Sequence, residues 1–238
     1  EVGLFGSFYK VGQNVGSISY SFNVADRVAS VRSGGPNDLD GILQSIRAGK
    51  QTTDFMVVAI HCHQNSFAYQ AYSHDNHVPD FLVELAHKSI DAGADVFVGH
   101  GVHTIRGVEI YKGKPIFYGV GNFLFPQGAV GTITNGRPDP ASVASQTGQP
   151  DNREALLTTS RYEGGRLVEV RIYPADLGLD FDRTISKAGL PMTPSPANAL
   201  KILKVVQEAS KAFGTTIAID NNVGVIRVPA SATASNAP

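Results

Sequence analysis

The sequence predicts an α/β fold, and three observations carry that reading. The run DFMVVAIHCH, residues 54–63, is continuously apolar until its histidines, as a strand buried on both faces of a parallel sheet requires. ADVFVG, residues 94–99, is a second short strand of the same kind. Between them Leu82, Leu85, Ala86 and Ile90 recur at helical spacing, with Pro79 suited to a first helical turn and Gly93 a natural stop. Strand, helix, strand within about 45 residues is a βαβ unit, whose crossover should be right-handed.

The remaining elements follow in order. Residues 1–9 read as one strand, and a Gly/Ser/Asn-rich stretch to about Gly35 fits a long surface loop or a site rim. From Asp38 to Ala48 a helix is expected, with Leu39, Ile42, Leu43 and Ile46 on one side. GVEIY and PIFYGVGNF flank KGK as a hairpin, and LLTTSRY and RLVEVRIYP flank EGG as another. Residues from Gly128 to Arg153, rich in Gly, Pro, Ser, Thr and Asn, read as a surface insertion. A helix from Ala197 to Phe213 is entered through PMTPSP, and TTIAID and GVIRVP flank an Asn-Asn turn. One domain over residues 1–228 and a disordered tail over 229–238 complete the expected organisation.

Composition narrows the function. The chain has 238 residues, is 42 % hydrophobic and 17 % charged, and carries a formal net charge of −1. Without a long Lys/Arg run, a nucleic-acid surface is not expected to be its main business. The longest apolar runs are far short of the about 20 residues that cross a bilayer. The single cysteine, Cys62, excludes an intrachain disulfide and a four-cysteine zinc site. The chain opens on Glu1 with no visible signal peptide, and is expected to be a processed product or a piece of a longer one.

The histidines carry the chemistry. His61 and His63 stand at the carboxyl end of one strand of the βαβ unit, and His100 and His103 stand just past the end of the next. Ligands of open α/β sheets bind beyond those carboxyl ends, and adjacent strands lie about 4.8 Å apart. Four imidazoles would then point into one cleft, and strand alternation puts His61 and His63 on one face with Cys62 on the other. Imidazole ligates zinc, iron, manganese or nickel at neutral pH, and a metal with an open position acidifies bound water. The competing reading makes two of these histidines hydrogen-bonded turn residues.

Other residues read more simply. Cys62 is expected to pack in the core, and His87, with Glu84 and Asp91 nearby, to be solvated on its helix. His74 and His77 read as exposed loop histidines above the sheet's carboxyl edge. Asp91 and Asp95 serve the helix end and its turn, and Glu109 faces solvent from its strand. Gly119 and Gly121 allow close backbone packing, and no P-loop or dinucleotide fingerprint accompanies them.

IHCH, together with FLVELAHKSIDAGADVFVGHGVHTIRGVEIYKGKPIFYGVGNFLF, resembles the bacterial capsule synthesis family named after CapA. KAFGTTIAID in the C-terminal part resembles one branch of it. That family is associated with poly-γ-glutamate capsule production and is similar to the calcineurin-like metallophosphoesterases. The resemblance implies a four-layer α/β/β/α sandwich, of which this chain is the C-terminal portion. It implies that His61, His100 and His103 bind a divalent transition metal (Zn, Mn or Fe). His63 would be a second ligand, a general acid or a substrate contact, and is available for proton transfer; Asn122 in GNF would line the site against substrate. GHGVH spaces its histidines by two residues where the superfamily has one. Nothing before His61 reads as D-x-H, G-D or G-N-H, so either a missing N-terminal fragment or another chain would supply the acidic ligands, giving a dinuclear centre, or the site is incomplete.

Two functions are therefore expected. One is a metal-dependent hydrolase acting on a γ-glutamyl amide or phosphoester bond of a polymer or small molecule. The other is a non-catalytic component binding polymer or partner proteins in a synthesis or export complex. By resemblance alone, either belongs in an extracytoplasmic or cell-envelope setting.

Overall fold

The computed structural model describes residues 36–63, 76–124, 153–177 and 189–229, with the backbone of four short strands at 2–4, 7–9, 133–134 and 137–138. The chain divides into two compact units, residues 1–31 and 32–238. In the first, β1 (Val2–Leu4) pairs antiparallel with β2 (Ser7–Tyr9), so the expected single strand is a hairpin. The polar stretch before Gly35, His74, most of the Gly128–Arg153 insertion and the tail beyond residue 229 lie outside the described residues.

The second unit opens with α1 (Pro36–Lys50), which buries Leu43 and Ile46. Ile42, expected on the same face, is exposed at the edge of that stripe. β3 (Val57–His61), α2 (Asp80–Asp91) and β4 (Val96–His100) form the expected βαβ unit. β3 and β4 run parallel in the register Val57↔Val96 through His61↔His100. β6 (Lys114–Phe117) lies parallel beside β4 and pairs antiparallel with β5 (Val108–Tyr111), giving the order β3-β4-β6-β5. Gly93 adopts φ +115°, a conformation that ends α2 at little cost only because glycine has no Cβ.

β3 departs from its expected burial. Val57, Ala59 and His61 are exposed and Val58 and Ile60 only half-buried, because β3 is the edge strand of the described sheet. An apolar run fits two-sided burial, but it does not say whether a neighbour lies on both sides.

Two residues expected to face solvent are engaged instead. His87 Nε2 lies 3.0 Å from both carboxylate oxygens of Glu109, and Tyr118 Oη donates to Glu109 Oε2 at 2.6 Å. The His87 ring stacks on Tyr111 at 3.9 Å, so α2 is fastened to the β5–β6 hairpin. Burial and the Glu109 carboxylate push the Tyr118 hydroxyl well above the ordinary tyrosine range. Asp95 fulfils its turn role and more: it accepts from Lys50, Lys114 and the Met56 amide, joining α1, β3 and β6.

β7 (Ile133–Thr134) pairs antiparallel with β8 (Arg137–Pro138), and the second four-stranded sheet is antiparallel, in the order β11-β12-β10-β9. It comprises β9 (Glu154–Glu163), β10 (Arg166–Asp176), β11 (Ala218–Asp220) and β12 (Val223–Arg227). Asn221 and Asn222, both at positive φ, make the β11–β12 turn. Before β11 runs α3 (Pro196–Ser210), capped by Ser195 Oγ on the Asn198 amide and continued by a 3₁₀ turn over Lys211–Phe213.

One core joins Val96, Val108 and Phe117 of the first sheet to Val170, Ile172 and Ile226 of the second and to Ile202, Leu203 and Val206 of α3. A second core packs Leu82, Leu85, Ala86 and Ile90 of α2 on Phe97 and Ile116, with Leu39 of α1 against it. Cys62 is buried there, as expected. Among the described residues the architecture is an α/β fold built on two four-stranded sheets and three α-helices, with two short two-stranded ladders. Among the described residues α3 lies on the inner face of the second sheet, and no helix covers its outer face. No described helix is long and apolar enough to cross a membrane.

Candidate functional site

The parallel register that pairs His61 with His100 creates the site, because it sets two imidazoles abreast at the carboxyl edge of the sheet. Strand pairing continues one step beyond, where the Cys62 amide donates to the His100 carbonyl at 2.7 Å. Cys62 thus turns inward and His63 outward, back beside His61. His61 Nδ1 lies 3.1 Å from His100 Nδ1, and His61 Nε2 lies 2.8 Å from His63 Nε2. The His63 and His103 ring centroids are 5.1 Å apart. At the end of the row, His103 Nδ1 is 2.8 Å from Asn122 Oδ1.

The glycines of GHGVH have physical reasons. A Cβ on Gly99 would meet the Tyr118 carbonyl oxygen at 2.6 Å, so the close approach of β4 to the chain after β6 needs glycine. Gly101 adopts φ +95°, and a Cβ there would meet His61 Nε2 at 2.9 Å. The backbone therefore turns under the His61 ring through a residue with no side chain. His103 itself adopts φ +64°, uncommon for a residue that is not glycine, and the bond to Asn122 helps hold it there.

Protons within the row can be accounted for. Asn122 Oδ1 accepts, so in the neutral ring His103 donates from Nδ1. Neutral His61 satisfies both neighbours in either of two concerted arrangements, donating from Nδ1 and accepting at Nε2, or the reverse. Burial, then the neighbouring His103 and His61, pushes the His63 pKa below the ordinary histidine value, which favours the neutral form.

Whether these residues fit one metal ion follows from the same distances. Two nitrogens bound to one zinc at about 2.0–2.1 Å lie roughly 3.3 Å apart, with the ion between them. Here His61 turns its two ring nitrogens toward different neighbours, so no single ion is common to His61, His63 and His100. Among the described residues no group of three or more His, Cys, Asp or Glu side chains is arranged to hold a metal. In this arrangement His61 does not bring His63 and His100 to one ion.

All five residues singled out from the sequence thus stand in one row. The structure puts Asn122 on His103, a contact the sequence reading did not foresee. Arg106, three residues after His103, was not singled out at all. It is fully buried, and its amide donates to the Gly119 carbonyl at 3.0 Å. TIRG offers no pattern from which that burial could be read.

An α/β protein with clustered imidazoles at the ends of parallel strands is the class that fold and site define. The chain belongs to the bacterial capsule synthesis protein family PGA_cap, whose model matches residues 10–127, a span containing every residue of the row. It is 34 % identical over 249 residues to an uncharacterized protein of Sinorhizobium fredii, covering 94 % of this chain and 50 % of that one. It is 38 % identical over 93 residues to the PGA biosynthesis protein CapA of Bacillus subtilis, covering 39 % of this chain and 22 % of that protein. Over 44 residues it is 50 % identical to the capsule biosynthesis protein CapA of Bacillus anthracis, covering 18 % of this chain and 11 % of that protein. The chain therefore spans about half the length, or less, of these curated relatives.

Proposed function

We propose that the chain is a non-catalytic component of poly-γ-glutamate capsule synthesis or export that binds the polymer. The observation that carries this reading is the mutual pairing of ring nitrogens in the histidine row, with no metal-holding group of His, Cys, Asp or Glu among the described residues. A hydrolytic metal centre needs nitrogens converging on one point and an open coordination position. Similarity to the two CapA proteins supports the capsule setting and, with it, a place at the cell envelope. Sedimentation of the purified chain with poly-γ-glutamate tests the reading: co-sedimentation with that polymer and not with neutral dextran is expected. No association with the polymer would overturn it.

The convergence of four imidazoles favours a second reading, the metal-dependent hydrolase of an amide or phosphoester bond. It requires carboxylate ligands from outside the described residues and a rearrangement of the row, with His61, His100 and His103 as ligands, His63 for proton transfer and Asn122 toward substrate. The exposed edge of β3 and the greater length of the relatives support the associated reading, that the chain is part of a larger domain. Elemental analysis of natively purified chain separates the two functions. A stoichiometric transition metal that His61→Ala loses would favour the hydrolase.

A further inference from the structure

The outer face of the second sheet carries a group of arginines that the histidine site does not use. By register, Glu169 on the central strand β10 lies between Arg161 on β9 and Arg227 on β12. Arg171, two residues on, shares that face. Arg171 Nε lies 2.8 Å from Glu169 Oε1, Arg227 Nη1 lies 3.2 Å from Oε2, and Arg161 Nε stands 4.0 Å from Oε1. Arg161 also pairs with Glu163. The Glu169 side chain is only 7 % exposed, whereas those of Arg161, Arg171 and Arg227 are 53 %, 50 % and 79 % exposed.

The stoichiometry is unbalanced. Three guanidiniums bring about fifteen N–H donors, and a carboxylate accepts about four. Arg171 gives its Nε to Glu169 and also hydrogen-bonds Tyr173, while its side chain stays half exposed. With Arg166 at the hairpin, four guanidiniums share the two carboxylates Glu163 and Glu169 on a chain whose net charge is −1. Asp220, a further carboxylate among the described residues of this face, lies two rows from Glu169 by register. Glu169 holds its neighbours in place, and they in turn hold its carboxyl below the usual range, Arg171 foremost.

We infer that this face, Arg161, Arg171 and Arg227 arrayed around Glu169, is the docking surface for a polycarboxylate chain. Charge complementarity selects the occupant: guanidinium forks match carboxylates bidentately, and a repeating carboxylate polymer meets several forks at once. Arg161 and Arg227 flank Glu169 from the two neighbouring strands, about 9.6 Å apart across the sheet, and Arg171 stands one row along on the central strand. Thr159 and Tyr173, on the same face by alternation, add neutral hydrogen-bonding groups. The inference rests on the polymer-binding reading and names where on the chain that binding occurs, away from the histidines.

The test is calorimetric titration of the full chain with poly-γ-glutamate. Arg161→Gln/Arg171→Gln/Arg227→Gln is expected to weaken binding about tenfold, and wild-type binding to weaken with added salt. Lys88→Gln/Lys112→Gln, a charge change on the α2 side, is expected to leave it unchanged. Should the triple variant fail to fold, because buried Glu169 loses its partners, the exposed single change Arg227→Gln decides, with a fall of about twofold. Wild-type binding that none of the arginine variants weakens, or that the lysine variant weakens equally, would overturn the docking surface while leaving polymer binding intact. No wild-type binding at all would overturn both.

Discussion

His103 Nδ1 and Asn122 Oδ1 stand 2.8 Å apart, joining the turn after β4 to the chain that follows β6. That contact fixes the proton of one imidazole, since the amide oxygen only accepts. Long-range nitrogen–proton NMR of the wild type should show His103 protonated on Nδ1 and bare at Nε2. In Asn122→Ala the two tautomers should mix, with about 1 kcal/mol of stability lost. A wild-type spectrum with the proton on Nε2 would contradict this assignment.

Gly101→Ala should disturb the row directly. Its φ of +95° strains any other residue, and the added Cβ would press on His61 Nε2 at 2.9 Å. A loss of about 1–3 kcal/mol in chemical denaturation is expected, with a shifted His61 ring signal. Gly41→Ala, where a Cβ meets nothing within 4 Å, is the control and should be neutral or mildly stabilising.

Glu109 holds two partners at once, His87 and Tyr118. Glu109→Ala should cost about 2–3 kcal/mol, because it leaves a buried hydroxyl without its acceptor. Asp91→Ala removes only the exposed pair with Lys112 and the long contact to Tyr111, and should cost under about 1 kcal/mol. Thermal denaturation of the two variants distinguishes the roles, and equal losses would contradict them.

Asp95 gives a pH signature away from the histidines. Burial raises its carboxyl, but the bonds from Lys114, Lys50 and the Met56 amide outweigh that and bring it below its ordinary 3.8. A carboxyl lowered on folding contributes stability at pH above its unfolded value. That contribution is lost as pH falls through the folded one. Urea midpoints should therefore drop on acidification below about pH 4, and Asp95→Asn should show a shallower drop from a lower start.

Much of this molecule is legible in its sequence because its signals are local. Helical spacing in α2 and α3, the apolar runs of β3 and β4, and the turns at Gly164-Gly165 and Asn221-Asn222 each state their own conformation. The row of histidines was legible for the same reason: alternation and adjacency of two strand ends suffice to gather them. What depended on distant partners was not. Glu109 looks like a solvent-facing alternate in β5 until α2 supplies His87 above it and Tyr118 reaches it from beyond β6. The exposure of Val57 and Ala59 depends on what lies beside β3, which no residue of β3 encodes. Which nitrogen of His61 meets which neighbour is likewise a matter of rotamers, and that detail separates a hydrogen-bonded row from a metal cage.

The central claim is that the chain holds poly-γ-glutamate without cutting it. Its most direct test follows the polymer's length by light scattering during incubation with the purified chain, with zinc or manganese and with chelator. Bound polymer of unchanged length under all conditions is predicted. Metal-dependent shortening that His61→Ala abolishes would contradict the claim and make the histidine row a catalytic centre.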